Sequence, residues 1–547
     1  MKSLIFSLAG LFTLTSFLSC KNKESVDLIV HNGVIYTVDS IFSVQEAFAV
    51  KNGKFLDIGT SEDILDKYTS ERIVNAVGEP IYPGFYDAHC HFFGLAQGMH
   101  QVNLVGARSM EEVIQRIQAF RAKFPKDAWI IGRGWDQNLW ADKSFPNNEE
   151  LNAVFPDVPV YLTRIDGHAA LANQTALDLA HIDLGKQPEG GLIVYKENRP
   201  TGVLVDNAMD LVQQKIPAPS NSQLTNLLQE AEKACFSVGL TSLADAGLSK
   251  KRIDLLKELY KQKKLRIGEY AMAMLDTVDF EQILKEGTFE QGQLAVRSFK
   301  IIADGALGSR GACLLHPYED APTQGFLLQK PAVLDAVIDK IAKSDFQVNV
   351  HAIGDSTNRF ILHIFNKYLE KNNTKRWRVE HAQIVQPEDY SLFTSANIIP
   401  SVQPSHATSD MNWAKDRLGT ERLSYAYAYK RLLQAAGKLA LGSDFPVEDI
   451  NPLYQFHAAV ARTDKEGQPT GGFQIENALT REEALQGLTD WAAYACFQEE
   501  TKGSITKGKQ ADFIRLEKDI MQIPLDEIRN TKVKETWVAG EKVYQDK

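Results

Sequence analysis

Eight apolar runs of strand length recur between residues 81 and 446. They read "IYPGFYDAHCHF" (81–92), "GLTSLADAG" (239–247), "LRIGEYAMA" (265–273), "VRSFKIIADG" (296–305), "FQVNVHAIGD" (346–355), "WRVEHAQ" (377–383), "NIIPSVQP" (397–404) and "KLALGSDFP" (438–446). Periodic helical stretches such as "LTNLLQEAEKACFSVG" and "VLDAVIDKIAKSD" lie between them. Strands that alternate with helices build a parallel sheet, because each crossover must return the chain to the same end. Eight such strands suffice to close a (β/α)8 barrel of TIM type. The expected fold class is therefore α/β, with the barrel spanning residues 82–502.

The chain is long for a single domain, and the regions outside the eight runs read differently. Residues 27–81 alternate apolar and polar in short runs, "VDLIVHNGVIYTVD" and "AFAVKNGKFLDIG". Asn32-Gly33 and Asn52-Gly53 sit between such runs, which is a strong hairpin signal. Short strands return near the end in "GSITKGKQADFIRLE" (503–517) and "VKETWVAGEKVYQ" (533–545). Residues 27–81 and 503–547 are expected to join in one composite β-sandwich. The gap between the first and second barrel strands exceeds one helix, so residues 100–235 should hold an inserted subdomain. It is rich in aromatics and turns, as in "GRGWDQNLW" and "QPEGGLIVY".

Active sites of such barrels lie at the C-terminal ends of the strands. Five of the eight strands end in a possible metal ligand. The first ends in His89-Cys90-His91, where a period of two turns both imidazoles one way and Cys90 the other. Two imidazoles on one face suit zinc or a similar divalent ion. Lys300 stands near the end of the fourth strand, His351 ends the fifth, His381 the sixth and Asp444 the eighth. One isolated strand histidine is more often structural than a ligand. Four histidines and an aspartate, all at strand ends of one polarity, are not explained that way.

These segments carry a resemblance. "PGFYDAHCHF" (83–92), "RIDGHAALAN" (164–173), "KIIADGALGSRGA" (300–312), "VHAIGD" (350–355), "RVEHAQ" (378–383), "SVQPSH" (401–406), "ALGSDFPVE" (440–448) and "GSITKGKQADF" (503–513) resemble the amidohydrolase superfamily. Within it they are most similar to the amidohydrolase-3 group, which includes N-substituted formamide deformylases. The resemblance runs from about residue 27 to the end of the chain. It implies two divalent metal ions, with zinc the default for histidine and carboxylate ligands. His89, His91 and Asp444 would hold one ion, and His351 and His381 the other. A carboxylated Lys300 would bridge them, since a bare ammonium has no lone pair to offer. Metal-activated hydroxide would attack an amide-type C–N bond outside peptide backbones, with Asp444 passing the proton to the leaving nitrogen.

His168 matches a family motif and could bond a substrate carbonyl or simply hold its loop. His406 should face the pocket mouth. Asp304 and Arg310 follow the fourth strand and either meet substrate or brace their loop. Trp135 could wall an apolar pocket, although such aromatics also fill cores. Cys90 reads as a small core filler. The same metal cage would also serve an esterase, lactonase or phosphotriesterase. A non-catalytic ligand-binding lipoprotein is the rival from another class. A small-molecule substrate is expected in either catalytic case.

Charge and the N-terminus bound the partners. The formal net charge is -10, and no basic stripe appears, which argues against nucleic acid. Lys2, an apolar run from Leu4 to Leu18 and an abruptly polar "KNKE" have the layout of a secretory signal peptide. Cys20 at the break resembles a bacterial lipoprotein lipidation site, although Phe17 stands where leucine is usual. An uncleaved anchor, or an ordinary signal peptide with a chance cysteine, is the alternative. On the lipoprotein reading, residues 1–20 are removed or modified, and the exported enzyme touches the membrane only through its lipid anchor. Cys90, Cys235, Cys313 and Cys496 are widely spaced, and no disulfide is expected among them.

Overall fold

The computed structural model describes residues 23–546 apart from 165–168, 183–185, 189–190, 207, 218, 276–278 and 309. Eight strands form its centre: β1 (Phe85–Cys90), β2 (Leu240–Leu248), β3 (Gly268–Met274), β4 (Leu294–Ile302), β5 (Gln347–Ala352), β6 (Arg378–His381), β7 (Ile399–Val402) and β8 (Ala440–Leu441). Each pairs in parallel with the next in chain order. All eight coincide with the apolar runs of the sequence.

The ring closes just beyond β8. There the Asp444 amide donates to the His89 carbonyl at 2.7 Å, and the His91 amide donates to the Phe445 carbonyl at 2.8 Å. Gly442 makes this approach possible. A Cβ on it would stand 2.5 Å from the His89 nitrogen and 2.8 Å from Asp87 Oδ1. Such a junction admits glycine only.

Small side chains control what fits inside. Ala88, Ala244, Ala246, Ala295 and Ala440 share one buried cluster with Tyr86 and Tyr270. Alanine at these positions leaves room for the tyrosines, and for the polar groups stacked above them. Outside the ring, apolar residues such as Phe299, Ile301, Val348 and Val379 pack against the helical layer. Helix Asn221–Ser237 begins with a Ser220–Gln223 capping box and turns Leu228, Ala231, Cys235 and Phe236 onto this core.

Ahead of that helix lies a separate six-stranded sheet. Its order is Val102–Asn103, Ile130–Trp135, Val160–Arg164, Ala169–Ala172, Arg199–Asp206 and Gly191–Lys196. It has its own buried clusters.

The chain ends form two further sheets. One holds Lys54–Gly59, Ala47–Lys51, Leu28–His31 and Ile73–Asn75. The other interleaves both ends, with Phe513–Leu516 antiparallel to Pro80–Pro83, which in turn pairs with Val34–Tyr36. Leu28, Phe48, Phe55, Ile81, Phe513 and Trp537 are buried together between them.

Two local expectations are corrected here. Asn52-Gly53 does turn a hairpin, with φ of 54° and 72°. Asn32-Gly33 instead carries the chain from one sheet to the other. Only Asn32 adopts positive φ there, and Gly33 packs tightly against Ile81 and Ala76. The run 81–92 also divides at Gly84, so Pro80–Pro83 belongs to the outer sheet and Phe85–Cys90 to the barrel. A Cβ at Gly84 would meet the Thr241 side chain at 2.2 Å.

Candidate metal centre

The C-terminal ends of β1, β6, β7 and β8 converge on one carboxylate. Asp444 Oδ1 lies 3.0 Å from His91 Nε2 and 3.6 Å from His89 Nε2. Asp444 Oδ2 lies 3.8 Å from His406 Nε2. Two groups of three potential ligands share this aspartate: His89, His91 and Asp444, and His381, His406 and Asp444. Within each group the ligand atoms lie within 4.8 Å of one another. The backbone is strained at both His381 and Asp444, whose φ values are 71° and 62°. Left-handed conformations outside glycine cost about 1–3 kcal/mol and gather at functional sites.

The site's electrostatics favour lone pairs. Burial, reinforced by the neighbouring Lys300, pushes the His89 imidazole down to about 4. Burial and Lys300 also push His351 down to about 3. His381 lies well below the ordinary histidine range, through burial and its neighbouring imidazoles. All three rings are therefore neutral at physiological pH. Burial opposes ionisation of Asp444, but the hydrogen bond from His91 holds its carboxyl well below the usual range. Lys300 is lowered by burial, against the pull of Glu380 and Asp444. Its Nζ lies 3.0 Å from His89 Nε2.

Some expected roles shift. His351 stacks edge-on against His381, with ring centroids 4.5 Å apart. Its Nε2, however, lies 3.6 Å from Asp304 Oδ1 and outside both donor groups. His406 stands on the other side of His381, with ring centroids 5.9 Å apart. Asp304 is a brace. Its carboxylate accepts from the amides of Cys313, Ile353 and Gly354 and ties the loops after β4 and β5 together. Arg310 pairs with Asp320 at 2.8 Å on the same loop, and Arg417 joins that pair. Trp135 is corrected from a pocket wall to a core residue of the inserted sheet. It is fully buried, and its indole donates to the Leu162 carbonyl at 2.8 Å. His168 and Cys20 lie outside the described residues.

Other residues at the site carried no assignment from the sequence. Glu380 faces His89 Nδ1 at 2.5 Å, and Gln403 faces His381 Nδ1 at 2.7 Å. Asp87 accepts from the Ser443 hydroxyl at 2.6 Å and from the His89 amide at 3.0 Å, beneath the ring closure. Arg378 and Glu380 were visible as charges alternating within a buried strand, a costly pattern that marks a purpose.

The donor set fits divalent metal. Its His89 and His381 rings are neutral and its aspartate is ionised. The Nε2 atoms of His351 and His406 are buried with no hydrogen-bond partner among the described residues. Unpaired buried nitrogens are costly unless something else engages them.

Comparison with known proteins agrees with this chemistry. A sequence profile of the amidohydrolase family matches residues 72–544. YtcJ of Bacillus subtilis strain 168, a putative amidohydrolase, is 32% identical over 94% of this chain and 99% of its own length. An N-substituted formamide deformylase of Arthrobacter pascens is 24% identical over 95% of this chain and 98% of its own. The crystal structure of an uncharacterised metal-dependent hydrolase from Pyrococcus furiosus superposes with a TM-score of 0.77 at 27% identity. That match covers 90% of this chain and 100% of the other. The chain belongs to the amidohydrolase family.

Proposed function

We propose that this chain is a metal-dependent hydrolase that cleaves an amide-type C–N bond outside peptide backbones. The observation that carries the reading is the convergence of His89, His91, His381 and His406 on Asp444 at the open end of the barrel. The deformylase relative tilts the choice of bond toward C–N. The same cage on another substrate would give an esterase or lactonase.

His89, His91 and Asp444 would hold one divalent ion, and His351 with His381 a second, with His406 adjacent. Bound zinc would supply Lewis-acid activation of water and of the scissile carbonyl. Asp444 is the proton carrier. Its ionised carboxylate takes a proton from the attacking water and delivers it to the leaving nitrogen. Lys300 can act as a carboxylated bridge. Burial favours its neutral amine, whose lone pair forms an N–C bond to carbon dioxide and releases one proton.

The test is elemental analysis of the chain lacking residues 1–20. The same sample is then assayed on N-formyl amines, N-acyl amino acids, cyclic imides, esters and lactones. About two metal equivalents with chelator-sensitive C–N cleavage is the expected result. Ester or lactone turnover alone would reassign the bond. No retained metal and no turnover, even with added zinc and bicarbonate, would overturn the hydrolase reading.

A further inference from the structure

The chain places a buried ion pair directly behind a candidate metal ligand. Arg378 and Glu380 alternate with Val379 along β6, and both are fully buried. Arg378 Nε lies 2.7 Å from Glu380 Oε1, and its Nη2 donates to Glu380 Oε2 at 3.0 Å. The same nitrogen donates to the Ala88 carbonyl on β1 at 2.6 Å and to the Ser401 hydroxyl on β7 at 2.9 Å. The guanidinium therefore spans three strands, and rotation of the carboxylate would cost its hydrogen bond from Nη2. A buried pair of this kind rarely repays its desolvation through stability alone.

Resting on the hydrolase reading, we propose that Arg378 and Glu380 are positioning residues that fix the tautomer and orientation of His89 for metal binding. The contact at Nδ1 sets the direction. Glu380, clamped by a cation, is an acceptor, so the proton of His89 sits on Nδ1 and donates to it at 2.5 Å. On the other side Lys300 Nζ lies 3.0 Å from Nε2. Nε2 is also the atom that faces Asp444 at 3.6 Å. The free lone pair thus points at the metal centre. A carboxylate behind a metal-binding imidazole also makes the ring a better electron donor. Arg378 serves at one remove, holding Glu380 and tying the β1 backbone one residue before His89.

Glu380→Gln tests this with little change of volume. The glutamine side chain keeps an acceptor oxygen but loses the charge, and its amide nitrogen faces the Arg378 guanidinium. Zinc affinity, measured by competition with a chromophoric chelator at fixed pH, should weaken about 10–100-fold for the ion held by His89. The thermal midpoint of the metal-free variant should fall, because Arg378 is left buried without its counter-charge, so zinc is measured well below that midpoint on protein shown to be folded. Arg378→Lys keeps the charge but loses the fork, and should weaken zinc in the same direction. In cobalt-loaded protein, the visible absorption of both variants should shift from that of wild type. Wild-type zinc affinity, within about twofold, in either folded variant would overturn the proposal. Failure of both variants to fold would assign the pair to barrel stability and equally overturn it. A wild-type chain that binds no zinc would instead defeat the hydrolase reading itself.

Discussion

Asp444 carries more of the site than any other residue. It stands between two imidazole pairs, and its backbone holds a left-handed φ of 62° while its amide closes the barrel. Asp444→Asn keeps the shape and the amide bond but removes the anionic proton acceptor. Turnover should fall by a factor on the order of 10²–10⁴, the usual worth of general acid–base catalysis. Urea unfolding should move little. Near-normal turnover in the folded variant would remove Asp444 from the proton path. The ligand types were legible in the sequence because they sit at strand ends with a shared polarity. Their exact grouping was not. A strand pattern says which way a side chain starts, but not how far its ring reaches across the barrel mouth: His351 ends near Asp304, and His406, on the helix after β7, near Asp444. Trp135 misled for a related reason, since an indole near a cleft motif reads the same whether it faces ligand or core.

Among the elements, β1 and β8 meet under the tightest constraint. The strand β8 has only two residues, and its pairing to β1 is completed by backbone bonds around Gly442 rather than by a long ladder. Gly442→Ala would force its Cβ against the His89 amide and the Asp87 carboxylate. Neither can retreat, because Asp87 also holds the Ser443 hydroxyl and amide. Overpacking of this kind costs about 1–3 kcal/mol. The displaced residue would be His89, so metal uptake should fall together with the urea midpoint. Loss of stability with unchanged zinc affinity would show that closure and ligand placement are separable. The eight strands themselves were readable because buried parallel strands are continuous apolar runs with helices between them. The switch of Asn32-Gly33 between sheets was not, because an Asn-Gly pair signals a bend and only the partner strands decide what the bend joins.

At the scale of the whole molecule, the candidate ligands come from β1, the ends of β6 and β8 and the helix after β7, far apart in sequence. A bound ion would cross-link these elements at one end of the ring. Among the described residues, the outer sheets contribute no member of either donor group. Any group that binds only the folded state stabilises it, by about 4 kcal/mol at a thousandfold excess over its dissociation constant. The gain should be local. Adding zinc to chelator-treated protein should raise the thermal midpoint and slow amide exchange at 85–90, 399–402 and 440–441. Exchange in the sheets at 28–31 and 513–516 should change much less, because their core of Leu28, Phe48 and Phe513 forms without the metal centre. Equal protection in barrel and outer sheets would mean that the two unfold as one cooperative unit. In that case the ion would act on global stability rather than on the barrel mouth. No change at the three barrel segments would place the zinc elsewhere, and with it the proposed centre.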